Sequence, residues 1–399
     1  MQSCTMGVSG GQGRKQLKHK TGLLAPMSAL AMASTLVLTS GAQAQDVDFS
    51  GDIRFGYYGF ERDERNGTET DDDMLRLRVR AGLQWNINET WSFKGRYAAR
   101  VHNKDNESGW VKLFDGLNPG ASSIVPGEST FDEFFVRARY GKWDHRIGRF
   151  QTNNRLVGVA AKSFSRTNST GWDVGYTDGI QSIYSTDMGF NVTGLIEYND
   201  KDGTANLRRS PLNFADNDSR RTYYLSFDAR DTSGLWAQRS FDITYIPSAL
   251  YYNGVAAGDQ RDYLGFTGRL ATQYALQGEM KLVTGIELAW APEAQSNLVA
   301  GLPGTGKADS SAWHVSVNLM DFSPGHSVGF VHGQTDAGWL LSTDFPNNGV
   351  LTEARYAWVP MRGHLLEARV RQRKDQELPR NALRKRSETD MYLRYSISL

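Results

Sequence analysis

Apolar and polar residues alternate with a period of two in about sixteen stretches of the chain, and the gaps between those stretches are alternately long and polar, then short. The stretch from Leu75 to Ile87 shows the rule: Leu75, Leu77, Val79, Ala81, Leu83, Trp85 and Ile87 share one face, and Arg76, Arg78, Arg80, Gln84 and Asn86 share the other. One such strand would suit a soluble sheet equally well. Its repetition, with connections that alternate in length, predicts an all-β fold. The expected form is a transmembrane antiparallel up-and-down β-barrel of about sixteen strands, with loops at one end and turns at the other.

The first strand is expected from Val47 to Tyr58, with Val47, Phe49, Ile53, Phe55 and Tyr57 on one face. The charged segment from Glu61 to Asp73 reads as the first long loop. Leu75 to Ile87 and Trp91 to His102 follow across a short turn, then Glu133 to Gly141 and Asp144 to Gln151 across another, and a loop rich in Asn, Ser and Gly runs to Asp178. Eleven further strands are expected between Gly179 and Leu399, with Thr335 to Asn348 among the long polar gaps. Lipid offers an open sheet edge no hydrogen-bond partner, so strands that cross a membrane must close into a ring. A single barrel is therefore one domain, expected over residues 45–399. A large soluble sandwich or propeller also has many short strands, but does not explain strictly alternating loop lengths.

The amino terminus adds a destination. Arg14, Lys15, Lys18 and Lys20 precede an apolar run from Leu23 to Leu38, which ends at Ala42, Gln43 and Ala44. This reads as a secretory signal, residues 1–44, cleaved after Ala44. Pro26 and the small residues leave the run short of the roughly 20 apolar residues of a helical span. Cleavage removes four of the 45 lysines and arginines and none of the 44 acids, so the exported chain is mildly acidic. The single cysteine, Cys4, lies in the removed segment, which excludes a disulfide framework and a thiolate nucleophile from the rest.

The chain ends on a strand in which Met391, Leu393, Tyr395, Ile397 and Leu399 alternate with Tyr392, Arg394, Ser396 and Ser398. This strand resembles the recognition segment of Gram-negative outer-membrane barrels, although that family usually ends in Phe. The resemblance extends over nearly the whole exported chain and is to the general porin superfamily, through a signal peptide, about sixteen strands and eight long loops. A local match is Tyr140, Gly141, Lys142 and Trp143, a turn leading into Arg146, Ile147, Gly148, Arg149 and Phe150. Porins similarly carry a glycine turn and a Gly-Arg pair before their third loop. The likeness implies that Arg149 faces the channel and that the loop from Thr152 to Asp178 folds inward as a constriction. It also implies integral residence in the outer membrane of a Gram-negative bacterium, insertion by the barrel-assembly machinery, contact with lipopolysaccharide and a homotrimer.

If apolar side chains face lipid, parity sends Arg54, Arg76, Arg78, Arg80, Lys94, Arg96 and Arg100 on the first three strands into the lumen. Arg137 and Arg139 follow on the fourth, and Arg369, Arg371 and Arg373 on the penultimate strand, with Arg355 nearby. Chain ends become neighbours in a closed barrel, so these groups are expected to form one basic sector. Guanidinium stays charged at any working pH and pairs with carboxylate and phosphate, which makes such a wall a path for anions. The other reading is an ordinary polar lumen, neutralised across the pore by Glu133, Glu353, Glu367, Asp228, Asp242 or Glu287. Segregation of acids favours the first reading: Glu61, Asp63, Glu64, Glu69 and Asp71 to Asp73 crowd into the first loop, away from the basic strands.

By the same likeness, Asp173 and Asp178 in the constriction loop would oppose Arg76, Arg96, Arg137 and Arg149 across the narrowest point. Trp85, Trp91, Trp143, Trp290, Trp313 and Trp358 fall near strand ends, where an amphipathic ring suits the lipid boundary. Gly301, Gly306 and Lys307 match a phosphate-loop spacing, but Ala308 follows in place of Ser or Thr and no helix does, so this is a loop. His314 and Ser316 share a strand face, a spacing also found in an outer-membrane phospholipase. Here parity turns the pair away from lipid, which disfavours an esterase. The remaining histidines, His145, His326, His332 and His364, are too dispersed for a metal site. The expectation is a diffusion channel for small hydrophilic solutes with a preference for anions, a phosphate- or solute-specific channel being the variant. No catalytic residue, metal, cofactor or nucleic-acid partner is expected.

Overall fold

The computed structural model describes residues 46–102, 129–165, 174–200, 219–231, 234–253 and 260–399. The segment read as an export signal lies outside the described residues, as does Asp173. The first half of the chain forms β1 (Val47–Asp63), β2 (Glu69–Asn86), β3 (Trp91–His102), β4 (Ser129–Tyr140), β5 (Trp143–Phe150), β6 (Thr177–Ser185), β7 (Asn191–Asp200) and β8 (Ser219–Arg230). The second half forms β9 (Gln238–Tyr251), β10 (Gln260–Ala275), β11 (Lys281–Trp290), β12 (Ser311–Ser323), β13 (His326–Thr335), β14 (Gly349–Trp358), β15 (His364–Asp375) and β16 (Ser387–Ser398). Each strand pairs antiparallel with its neighbours in sequence, and β1 pairs with β16, so the sheet closes. No helix occurs among the described residues.

The alternation explains the closure. Along the seam Ile53 stands opposite Ile397 and Tyr57 opposite Leu393, so both strands show apolar groups on the same outer face. That face stays exposed: Phe55, Leu75, Ile147, Val370, Met391 and Leu393 belong to an apolar outer wall that a water-soluble protein would bury. Trp85, Trp91, Trp143 and Trp290 are exposed near strand ends. The short connections are tight: Gly363, between β14 and β15, has φ +81° and lies so close to β16 that a Cβ would meet the Ser398 carbonyl oxygen at 2.7 Å.

Two expectations about loops are corrected. The charged segment from Glu61 to Asp73 is mostly strand, because β1 and β2 stay paired as far as Asp63 opposite Glu69, and only residues 64–68 turn. The apolar alternation ends at Tyr57 opposite Leu75, and backbone pairing continues beyond that point. The polar gap from Thr335 to Asn348 does not stay outside the barrel. Trp339, Leu340, Leu341 and Phe345 from this segment are buried with Phe164, Ile246, Tyr263, Val331 and Leu351, and the strand residues of this cluster carry the inward parity. The barrel thus holds an apolar core of its own on the β9 to β14 side.

Candidate functional site

The loop after β5 crosses the lumen and is held on the far wall. Val157 donates its backbone N–H to Gln238 Oε1 on β9 at 3.0 Å, and Ala160 donates to Asn318 Oδ1 on β12 at 3.1 Å. Leu156 presses against Gly285 on β11, where a Cβ would lie 2.5 Å from the leucine Cδ2. Lys162 forms a buried ion pair with Glu353 on β14 at 2.7 Å, and Ser165 donates its hydroxyl to Asp242 on β9. Phe164 meets Phe345 with ring centroids 4.8 Å apart and Trp339 edge-on at 6.5 Å. The second inward segment fastens to the first through Ser342 Oγ donating to the Ser163 carbonyl at 2.9 Å and through the Arg155–Asp344 ion pair at 3.3 Å. Burial pushes the Asp344 carboxyl up, but Arg155 and Lys162 outweigh it and hold the group below the usual carboxylate range.

Opposite this filled half, β14, β15, β16, β1, β2, β3 and β4 are consecutive in the ring and carry the cations. Arg54, Arg78 and Arg100 stand directly opposite one another in register across β1, β2 and β3. Like charges directly opposite one another destabilise a sheet unless neighbouring acids offset them. Around it, Asp52 receives Arg78 at 3.0 Å and also Arg80, while Asp132 takes both Nε and Nη2 of Arg96 at 2.8 and 2.9 Å. Glu133 pairs with Lys94 at 2.9 Å and with Arg96 at 3.3 Å. Asp144 accepts from Arg137 and lies 3.9 Å from Arg139. On the other flank Asp390 joins Arg369 to Arg371, Glu388 joins Arg373 to Arg62, and Glu353 and Glu367 take Arg355 and Arg394. Arg76 stacks over the Tyr58 ring at 4.2 Å, and Arg54 Nε donates to Ser396 Oγ at 3.0 Å.

The sector is therefore both charge-paired and cationic. Its acids sit beside the arginines on the same wall, not across the lumen, and most of them serve two or more cations. Between this wall and the loop lies a cleft of about 390 Å³. Arg54, Arg355 and Arg394 line it from the wall, Arg155 from the loop and Arg230 from β8, and among the described residues Glu367 is the one carboxylate in the lining. The loop adds Leu156, Val157, Val159 and Ala161, and Leu365 contributes from β15.

Two expected placements differ. Arg149 stands in register with the exposed Phe134 and with Asp178, so in the alternation it belongs to the outer-wall series. Its guanidinium is buried, 2.8 Å from Asp178 and 3.7 Å from the Tyr176 ring centroid. Asp178 is thus held by a neighbour on the adjacent strand and does not face Arg76, Arg96 or Arg137 across an opening. Arg394, Arg155 and Arg230 are lining residues that the sequence reading passed over. Arg394 was legible by parity in the last strand; Arg155 and Arg230 depend on where the loop comes to rest. Inside the filled half, His314 Nε2 lies 2.6 Å from Glu287, and Ser316 Oγ has no hydrogen-bond partner among the described residues. No group of three or more potential metal ligands occurs among the described residues.

No family model and no curated protein matches the sequence. Solved structures do. The barrel is similar to OprB of Pseudomonas putida, at 12% identity and a TM-score of 0.58 over 88% of this chain and 94% of that one. It is similar to an anion-selective porin from Comamonas acidovorans, at 11% identity and a TM-score of 0.53 over 88% and 99%. OccK8 (OprE) of Pseudomonas aeruginosa aligns at 14% identity and a TM-score of 0.52 over 89% and 98%. With sixteen strands closed on themselves and this likeness along nearly all of the described chain, the fold is that of the Gram-negative outer-membrane porins.

Proposed function

We propose that the protein is an outer-membrane channel through which small hydrophilic solutes diffuse, with a preference for anions. The observation that carries this reading is the cleft between the inward loop and the arginine wall, in which, among the described residues, five arginines line the space with Glu367, which is already paired with Arg394. A solute passing there exchanges part of its hydration for guanidinium N–H groups, which favours carboxylate, phosphate and halide over cations. One solved neighbour is itself described as anion-selective. A phosphate- or solute-specific channel would use the same wall. Removal of residues 1–44 on export, delivery by the barrel-assembly machinery, contact with lipopolysaccharide and assembly as a homotrimer belong to the same proposal.

Reconstitution in a planar bilayer across a potassium chloride gradient tests the reading. The expected reversal potential has the sign of chloride permeation. A potential of the potassium sign removes the anion preference, and no conductance removes the channel.

A further inference from the structure

The cleft is cationic on both of its sides, and on the strength of the channel reading above we infer that it is a binding subsite for linear dicarboxylates. β8 and β16 stand on opposite sides of the sixteen-strand ring, yet Arg230 from the one and Arg394 from the other line the same cleft. An anion held on one wall therefore finds a second set of guanidinium groups facing it. Arg54, Arg355 and Arg394 make the first set, Arg155 and Arg230 the second.

Three of these groups, on both sides of the cleft, are each fixed by one acid that does not exhaust them. Arg394 gives Nε to Glu367, Arg230 gives Nε to Asp228 at 3.0 Å, and Arg355 gives Nε and Nη2 to a single Glu353 oxygen. A guanidinium carries five N–H donors, so donors remain on both sides after these bonds. Val157 and Leu365 also line the cleft, and they offer a carbon chain apolar contact where they would offer a compact oxyanion none. Two carboxylates joined by a short hydrocarbon spacer match this arrangement: one end on each cationic set, the spacer over the apolar strip. A monocarboxylate of the same length engages one set only.

The test is block of the chloride current through single channels in a planar bilayer, with adipate, hexanoate and inorganic phosphate added in turn to one side. Adipate is expected to half-block at a concentration about tenfold below hexanoate, the factor that one added charge-assisted contact brings. In Arg230→Gln, which leaves Arg155 in the second set, the adipate advantage over hexanoate is expected to shrink. Equal block by adipate and hexanoate in the parent channel overturns the inference, as does phosphate blocking as well as adipate, which would make the site one for compact oxyanions. An undiminished adipate advantage in Arg230→Gln overturns it too. Potassium selectivity in the chloride gradient is a separate result and would instead remove the channel reading beneath it.

Discussion

Replacing Lys162 with Met breaks the loop's ionic anchor and leaves its packing in place. The ammonium is buried and lies 2.7 Å from Glu353, whose side chain is fully buried. At an effective dielectric of ~20 two unit charges at that separation attract by ~6 kcal/mol, most of it offset by the cost of taking both from water. Removing one partner of such a pair costs about 3–5 kcal/mol, because the other charge stays buried. Here the lower end applies, since Arg355 Nε still donates to Glu353 at 3.0 Å. A loss of about 3 kcal/mol lowers the ratio of docked to undocked loop by about a hundredfold. Single-channel recording reads this as more frequent excursions to a larger conductance. A Lys162→Met channel as quiet as the parent would refute the reasoning.

Other outcomes follow from the same contacts. Asp344 has a folded-state pKa below its unfolded value, so its stabilisation is complete above about pH 4 and is lost only as pH falls through the lower folded value. Conductance noise should therefore stay flat from neutral pH to about pH 5 and rise only in stronger acid, and Asp344→Asn should be noisy throughout. Trp339→Ala empties the largest buried side chain of the luminal core and should destabilise the barrel by about 3–5 kcal/mol, measured by urea unfolding in detergent. Arg394→Gln removes one lining cation and should move the reversal potential toward zero; no shift would exclude it from the permeation path.

The wall of the barrel was legible because lipid imposes a strict rule on every second residue. Parity placed Arg54, Arg78, Arg96 and Arg371 on the polar face without knowledge of their partners. Counter-charges were harder to see: Asp52, Asp144, Glu388 and Asp390 share that face, but only strand register shows that each lies beside an arginine, and Asp132 reaches Arg96 from the bulge between β3 and β4. Interior loops follow no periodicity, so the site's second wall was hidden. A clue existed in Trp339, Leu340 and Leu341, three consecutive apolar residues in a gap read as a solvent loop, where burial should have been expected. Arg149 was misplaced by analogy with a local pattern. Its own strand shows the alternation that opposes it, with Ile147 exposed on the outer wall two residues before.

The claim beneath the whole account is that arginines line an aqueous bore while their immediate neighbours in sequence meet lipid. Cysteine substitution at Arg137 and at Val136, in a chain whose only native thiol has been replaced by Cys4→Ser, tests it directly. With a membrane-impermeant anionic thiol reagent added to a reconstituted channel, the account predicts rapid reaction and a fall in chloride current for the variant at 137, and no reaction for the variant at 136. Labelling of 136 from water with 137 protected, or equal labelling of both, would contradict it.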